Sequence, residues 1–309
     1  MRTPSAYRKF AVALVMVAVA VTASAQAARR HSIQANDGMQ WELVKTGLYV
    51  ISGNGSNTVL RLSSNGLIIV DGKNPAAYDA LRARMNAISD QAVRVLILTD
   101  CNESSAGTNA KFLAAGTPIV VQQNAQRSFA ACHPSAEKST TPVITFDRDY
   151  HIKLGGIEAQ MMHFGNAHSD SDAVVYFPNV KAIAVGDLIA AAPNPDYSAG
   201  GSLVGWGPVL DQVLKLDFDV AVPGQGATLS RAEVQQFKTK MDTLVARGSE
   251  LVRQGVPKDQ LMSRLKTDDL GWKLNFTEEQ VDGFYAELTH SQQSPVHQAQ
   301  LDVQSAKQN

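Results

Sequence analysis

The fold is decided by one stretch of the chain, Thr99-Asp100-Cys101-Asn102-Glu103-Ser104-Ser105-Ala106-Gly107-Thr108-Asn109. Residues 93–98 before it are rich in Val, Leu and Ile, which indicates a buried strand. A helix is predicted to follow it and to end at Gly116. Asp and Asn favour turns and Ser favours helix N-termini, so turn chemistry alone accounts for these residue types. The stretch is therefore predicted to join a strand to a helix.

Strands and helices are predicted to alternate on both sides of this turn. Before it, short β-rich runs at residues 48–51, 58–62 and 67–70 are separated by Gly, Asn and Ser, and Asn74-Pro75 begins a helix. After it, further strands are predicted at residues 119–121, 157–163, 173–177, 182–185 and 219–222. This alternation is typical of layered α/β proteins with helices outside the sheets.

The C-terminal part is predicted to be helical from about residue 230. Ser230-Arg231-Ala232-Glu233 has the pattern of a capping box. A second cap at residues 277–280 begins a final helix, which is expected to reach about Leu288. Residues 291–309 are rich in Gln and Ser and are predicted to be a disordered tail. One domain is therefore expected over residues 26–290.

Residues 1–25 have the organisation of a secretory signal peptide. Basic residues precede an apolar run at residues 10–23, and Ala23-Ser24-Ala25 is a small-residue cleavage site. The alternative is an uncleaved anchor helix, although the apolar run is short for a membrane span. Cleavage near Ala25 would give a periplasmic or secreted protein without membrane attachment.

Charge and cysteine content restrict the partners and the redox chemistry. The formal net charge is −1 and no basic patch is visible in the sequence, so no nucleic-acid partner is expected. The two cysteines are Cys101 and Cys132. In an exported protein they could form a disulfide, but pairing requires close and well-oriented Cβ atoms. Both the paired and the reduced state remain open, and so does the oligomeric state.

Five motifs, in order across roughly residues 40 to 272, resemble those of metallo-β-lactamase-fold hydrolases. The motifs are Ile69-Val70-Asp71-Gly72, the turn at 99–109, Gly165-Asn166-Ala167-His168, Gly186-Asp187 and Pro223-Gly224-Gln225-Gly226. The resemblance implies an αββα sandwich, here with added C-terminal helices. It also implies a metal centre formed by loops at one edge of the two sheets.

Most ligand positions of this family hold other residues in this chain. The family's His-x-His-x-Asp-His turn falls on Asp100, Asn102, Ser104 and Ser105, and the His of the fifth motif is replaced by Gln225. One metal ion would need positions 104, 105, 187 and 225. Hydroxyl and amide groups are weak zinc donors, so the resemblance does not predict dinuclear zinc.

A residual single site is the remaining expectation for metal binding. The resemblance implies that Asp100, Asn102, His168 and Asp187 are its candidate ligands. This mixture of carboxylate, carbonyl and imidazole groups suits one weakly bound Mn²⁺, Fe²⁺ or Ca²⁺ better than zinc. The cofactor prediction is therefore no metal or one weakly bound divalent ion.

Other interpretations of single residues remain open at this point. Asp71 is interpreted as an acid at the end of a strand that forms hydrogen bonds with the neighbouring loop. His163 is expected to lie on a strand rather than to bind metal. Glu103 is expected to face solvent, with replacement of a lost carboxylate as the alternative if the turn takes another path. Cys101 and His168 could form a nucleophile and base pair, although no third orienting group is visible.

These observations predict an exported protein with a degenerate metal site that binds a small ligand or a partner without catalysis. The alternative is an active metal-dependent hydrolase of a lactam, lactone, thioester or phosphoester with one unconventional metal site. A third interpretation is a scaffold that acts through the C-terminal helices.

Overall fold

Two mixed β-sheets form the centre of the protein in the computed structural model, which describes residues 38–125 and 143–293. Within these residues the first sheet has seven strands in chain order: β1 (Gln40–Lys45), β2 (Leu48–Ser52), β3 (Thr58–Ser63), β4 (Gly66–Val70), β5 (Val93–Ile97), β6 (Ile119–Gln122) and β7 (Val143–Phe146). The second has six, ordered β13-β12-β11-β10-β9-β8: β8 (Asp149–Leu154), β9 (Ile157–Met162), β10 (Val174–Phe177), β11 (Ala182–Gly186), β12 (Val220–Pro223) and β13 (Leu229–Ser230).

Helices cover the outer faces of both sheets. They are α1 (Tyr78–Ile88), α2 (Glu103–Ala106), α3 (Asn109–Ala114), α4 (Leu203–Val213), α5 (Arg231–Arg253), α6 (Lys258–Arg264) and α7 (Glu278–Gln293). Short 3₁₀ helices span Pro75–Ala77, Pro178–Val180, Tyr197–Ala199 and Asp268–Leu270. None of the helices in the described parts of the chain combines the length and the hydrophobicity needed to cross a membrane.

Three hydrophobic clusters hold the four layers together. In β4, Ile68 packs between the two sheets, while Leu67 and Ile69 pack against the helices outside the first sheet. This alternation follows from the two-residue period of a strand. Trp206 of α4 and Phe284 of α7 belong to the third cluster, which lies outside the second sheet. The predicted αββα sandwich with added C-terminal helices is therefore confirmed.

The turn after β5 differs in detail from the prediction. A short additional helix, α2, forms inside it, so Ser104 and Ser105 lie within a helix instead of capping the next one. The chain then breaks at Gly107, where a side chain would meet Pro75 Cδ at 2.5 Å. The close approach of Pro75 therefore requires a residue without a side chain at Gly107, the C-cap of α2.

The C-terminal boundary also differs from the prediction. Helix α7 continues to Gln293, so residues 291–293 of the expected tail are helical. The sequence after Leu288 contains no proline or glycine until Pro295. A proline disfavours helical geometry in the residue before it, so a helix can continue up to this point. The signal peptide, Cys132 and residues 294–309 lie outside the described residues, and the predictions made for them stay predictions.

Candidate metal centre

The carboxylate of Asp71 connects the ends of two neighbouring strands. It accepts hydrogen bonds from Thr99 N at 2.8 Å and from Thr99 Oγ1 at 2.7 Å. β4 and β5 are parallel, so their carboxyl ends meet at one edge of the sheet. Burial and the nearby Asp100 raise the pKa of Asp71 well above its usual value, while the bonds from Thr99 oppose this shift. Asp71 therefore holds the start of the 99–109 turn and does not join the acids described below.

Replacement of this acid tests its structural role. Asp71→Ala is expected to lower the free energy of unfolding by about 3 kcal/mol, because two buried donors of Thr99 lose their acceptor. Asp71→Asn keeps one acceptor oxygen and tolerates the left-handed backbone at this position (φ 58°). It should cost about 1 kcal/mol. Urea unfolding measures both values, and an equal loss in the two variants would contradict this role.

His168 lies in the loop between β9 and β10 beside Asp172. Its Nδ1 is 3.7 Å from Asp172 Oδ1, which is an ion-pair distance and too long for a hydrogen bond. Asp172 is fixed in turn by Ser169, whose hydroxyl and backbone N–H both donate to its carboxylate. Burial lowers the pKa of His168, but the surrounding carboxylates, Asp172 foremost, raise it to about 9.

Three of the predicted ligands come together at the ends of the strands. Donor atoms of Asp100, His168 and Asp187 all lie within 4.8 Å of one another, with His168 Nε2 3.9 Å from Asp187 Oδ2. The Asp100 side chain is buried, at 2% exposure, and its Oδ2 has no hydrogen-bond partner. A buried carboxylate oxygen without a partner is costly unless a proton or a cation neutralises it. These three donors fit one divalent ion.

Asn102, the fourth predicted ligand, bridges two of these acids. Its backbone N–H donates to Asp100 Oδ1 at 2.9 Å, and its Nδ2 donates to Asp187 Oδ2 at 2.6 Å. This amide therefore satisfies Asp187 without a metal ion. Rotation of the amide by 180° would present Oδ1 instead, as a neutral oxygen donor.

The positions of a second metal ion hold a hydroxyl network. Ser56 Oγ lies 3.1 Å from Ser104 Oγ and 2.9 Å from Ser105 Oγ. Ser56 N also donates to Ser104 O at 2.9 Å. Gln225 is exposed at the surface. Hydroxyls that bond to one another and an exposed amide do not form a zinc site, so these residues do not fit a second ion.

Asn57 holds the loop that carries Gln225. Its Nδ2 donates to Pro223 O at 3.0 Å and to Gly226 O at 2.9 Å, and its backbone N–H donates to Gly224 O at 2.6 Å. Ser56 and Asn57 therefore join the two loops that would otherwise share a second ion. A cavity of about 580 Å³ lies beside them and is lined by Trp41, Ser52, Asn57, Gln225 and Ala227 among others.

The negative charge of the buried acids is offset by raised pKa values, which favour protonation, and by the buried amine of Lys73. Burial and the nearby Asp187 raise the pKa of Asp100 to about 7. Lys73 is fully buried and donates to the carbonyl oxygens of Ile51 and Ser56. Burial lowers the pKa of Lys73 to about 7, against the attraction of Asp71. Without a metal ion, the site therefore retains protons that a cation would have to displace.

The other candidate residues lie outside the group of three within the described part of the chain. His163 Nδ1 lies 2.8 Å from the backbone oxygen of Asp172, and Glu103 is exposed. Cys101 is buried in the cluster beneath α1 and α3. Sequence reasoning missed Ser56, Asn57 and Asp172. Only Asp172 had a local signal, since it follows His168 by four residues.

Sequence comparisons found a distant relative of this chain among curated proteins. No family model matches the chain. A curated relative, the 2,4-dinitroanisole O-demethylase subunit alpha of Nocardioides sp. (strain JS1661), is 23% identical over 223 residues, which are 72% of this chain and 68% of the relative.

Solved structures resemble the fold at low sequence identity. The stereoselective inverting sec-alkylsulfatase Pisa1 from Pseudomonas sp. matches 79% of the chain with a TM-score of 0.61 and 13% identity, and the chain spans 47% of its length. A metallo-β-lactamase from Pontibacter korlensis matches 69% of the chain and is covered over 98% of its length, with a TM-score of 0.54 and 18% identity. With its αββα layers and its three donors at the sheet edge, this chain has the metallo-β-lactamase fold.

Proposed function

We propose that this protein binds one divalent cation through Asp100, His168 and Asp187, together with a small ligand, and lacks two-metal hydrolysis. The convergence of these three donors around the unpartnered Asp100 Oδ2 supports one ion. The hydroxyl network of Ser56, Ser104 and Ser105 argues against a second ion. The cavity beside Gln225 is the proposed ligand site.

The donor set favours a hard or borderline ion such as Mn²⁺, Fe²⁺ or Ca²⁺. Two carboxylates supply oxygen donors and His168 supplies one imidazole nitrogen, while Asn102 can add a carbonyl oxygen. Asp172 would orient the His168 imidazole from behind, as outer partners of metal-bound histidines do.

Metal titration of the purified protein tests the proposal. Metal-depleted protein is expected to bind one Mn²⁺ per chain, and zinc is not expected to reach two per chain. The variant Gln225→Ala is the matched control for metal binding, because Gln225 lines the ligand cavity but is not one of the three donors; it should bind Mn²⁺ as the wild type does. Two tightly bound zinc ions per chain, or no binding of any divalent ion, would overturn the proposal.

A second candidate function is hydrolysis with one metal ion. It uses the same single ion at Asp100, His168 and Asp187 as the first proposal, and the names of the relatives favour it. The relatives are an O-demethylase subunit and an alkylsulfatase by name, so aryl methyl ethers and alkyl sulfates join lactams, lactones, thioesters and phosphoesters as test substrates. Turnover that requires added metal and disappears in Asp187→Ala would establish it.

Export is part of the proposal and rests on the first 25 residues of the sequence. Sequencing the N-terminus of protein recovered from the periplasm or medium of a bacterial host tests it. A mature chain that begins near Gln26 is expected. Protein that keeps Met1 in the cell would contradict export.

A further inference from the structure

One segment of the chain, residues 194–204, lies against the loop that carries His168. Asp196 N donates to His168 O at 2.8 Å, and Ser202 N donates to Ala167 O at 2.8 Å. Gly201 lies so close to the His168 and Asp196 carbonyl oxygens that no side chain fits there. The backbone on both sides of the His168 imidazole is therefore held by this segment, which we call the connecting segment.

The opposite side of the connecting segment rests on one face of α7. Glu287 Oε2 accepts hydrogen bonds from Tyr197 OH at 2.8 Å and from Leu203 N at 3.0 Å. Gln280 Nε2 donates to Pro195 O at 2.8 Å. The ring of Tyr197 covers Gly283, where an added Cβ would lie 2.5 Å from two ring carbons.

These α7 residues share a face because residues three and four apart are neighbours on a helix. Val204 N also donates to Glu287 Oε2, at 3.3 Å. The N–H groups of Leu203 and Val204 lie in the first turn of α4, where backbone N–H groups have no acceptor within the helix. The positive end of the helix dipole at this turn also attracts a negative charge. Glu287 thus caps α4 from another helix and fixes Tyr197 with the same oxygen.

We propose that Glu287 and Tyr197 are positioning residues that set the orientation of His168, and with it the metal affinity of the site. Within the described residues, His168 Nδ1 has no hydrogen-bond partner and only the 3.7 Å ion pair with Asp172. The orientation of the imidazole therefore depends strongly on the backbone of His168. The metal part of this inference rests on the proposed function. The contacts from α7 to the His168 backbone do not.

The test compares Mn²⁺ affinity, measured by titration and electron paramagnetic resonance, in variants of the full chain. Glu287→Ala is expected to weaken binding about ten-fold, which is the effect of losing an outer partner of a metal ligand. Tyr197→Phe removes one hydroxyl and should weaken it less. Glu287→Gln keeps an acceptor oxygen and is expected to restore most of the affinity.

Asp282→Ala is the matched control on the same helix. It also removes one acid from α7, but Asp282 forms an exposed ion pair with Lys258 at 2.6 Å instead of contacting the connecting segment. Its metal affinity is expected to equal that of the wild type. Equal loss of affinity in Asp282→Ala and Glu287→Ala would overturn the inference, because loss of charge alone would then explain both.

A second measurement does not depend on metal binding. Amide hydrogen exchange at Asp196 and Ser202, which donate to the His168 loop, is expected to accelerate in Tyr197→Phe and not in Asp282→Ala. If the wild type binds no divalent ion, the proposed function fails while the exchange rates still decide this inference. Unchanged exchange in Tyr197→Phe would refute it, and this mild variant gives an answer even if Glu287→Ala does not fold.

Discussion

His168→Ala is expected to abolish metal binding, with a loss of affinity of more than about 100-fold. Loss of an outer partner alone costs about 10–100-fold, and His168 is the nitrogen donor among the three converging groups. The remaining Asp100 and Asp187 would then face each other without the imidazole. Calorimetric titration with Mn²⁺ at neutral pH gives the affinity directly.

His163→Ala is the control for this experiment. His163 is part-buried and precedes the buried His168 by five residues, but its Nδ1 lies 2.8 Å from the backbone oxygen of Asp172 and it is not in the group of three. Its removal should cost well under the roughly ten-fold that marks loss of an outer partner of a metal ligand. Binding that survives His168→Ala unchanged would place the ion elsewhere.

Gly186→Ala is expected to lower the free energy of unfolding by about 3 kcal/mol or more and to abolish metal binding. Gly186 has φ +50° and precedes Asp187; a Cβ there would overlap Thr99 Oγ1 and lie 2.7 Å from Thr99 Cβ. Thr99 would have to move away from Asp71, and the displacement would reach Asp100 beside it. Urea unfolding and Mn²⁺ titration measure the two effects.

Gly156→Ala separates backbone strain from this collision. Gly156 also has a positive φ, +82°, but no atom lies within 4 Å of a Cβ built there. A left-handed backbone at a residue with a side chain costs about 1 to 2 kcal/mol, so only this loss is expected, with metal affinity intact. If the two variants lose equal stability, backbone strain alone explains both losses and the predicted collision with Thr99 is wrong.

The fold could be predicted largely from local patterns. The strand at residues 67–70 and the capping box at Ser230 and Glu233 can each be recognised from a few consecutive residues. The extra helix α2 could not be predicted in this way. Its residues are held by bonds from distant parts of the chain, since Ser56 N donates to Ser104 O and Gly72 N donates to Ser105 O.

The sequence by itself determined which chemical groups stand at the ligand positions: two acids, one imidazole and an amide in one set, hydroxyls and an amide in the other. Only the tertiary structure decided what those groups contact. The chain brings Asp100, His168 and Asp187 within 4.8 Å, and it places Ser56 against Ser104 and Ser105. The physical reason is that side-chain identity is local, whereas hydrogen bonds and charge interactions depend on distances of a few ångströms between loops that different strands carry to the same edge.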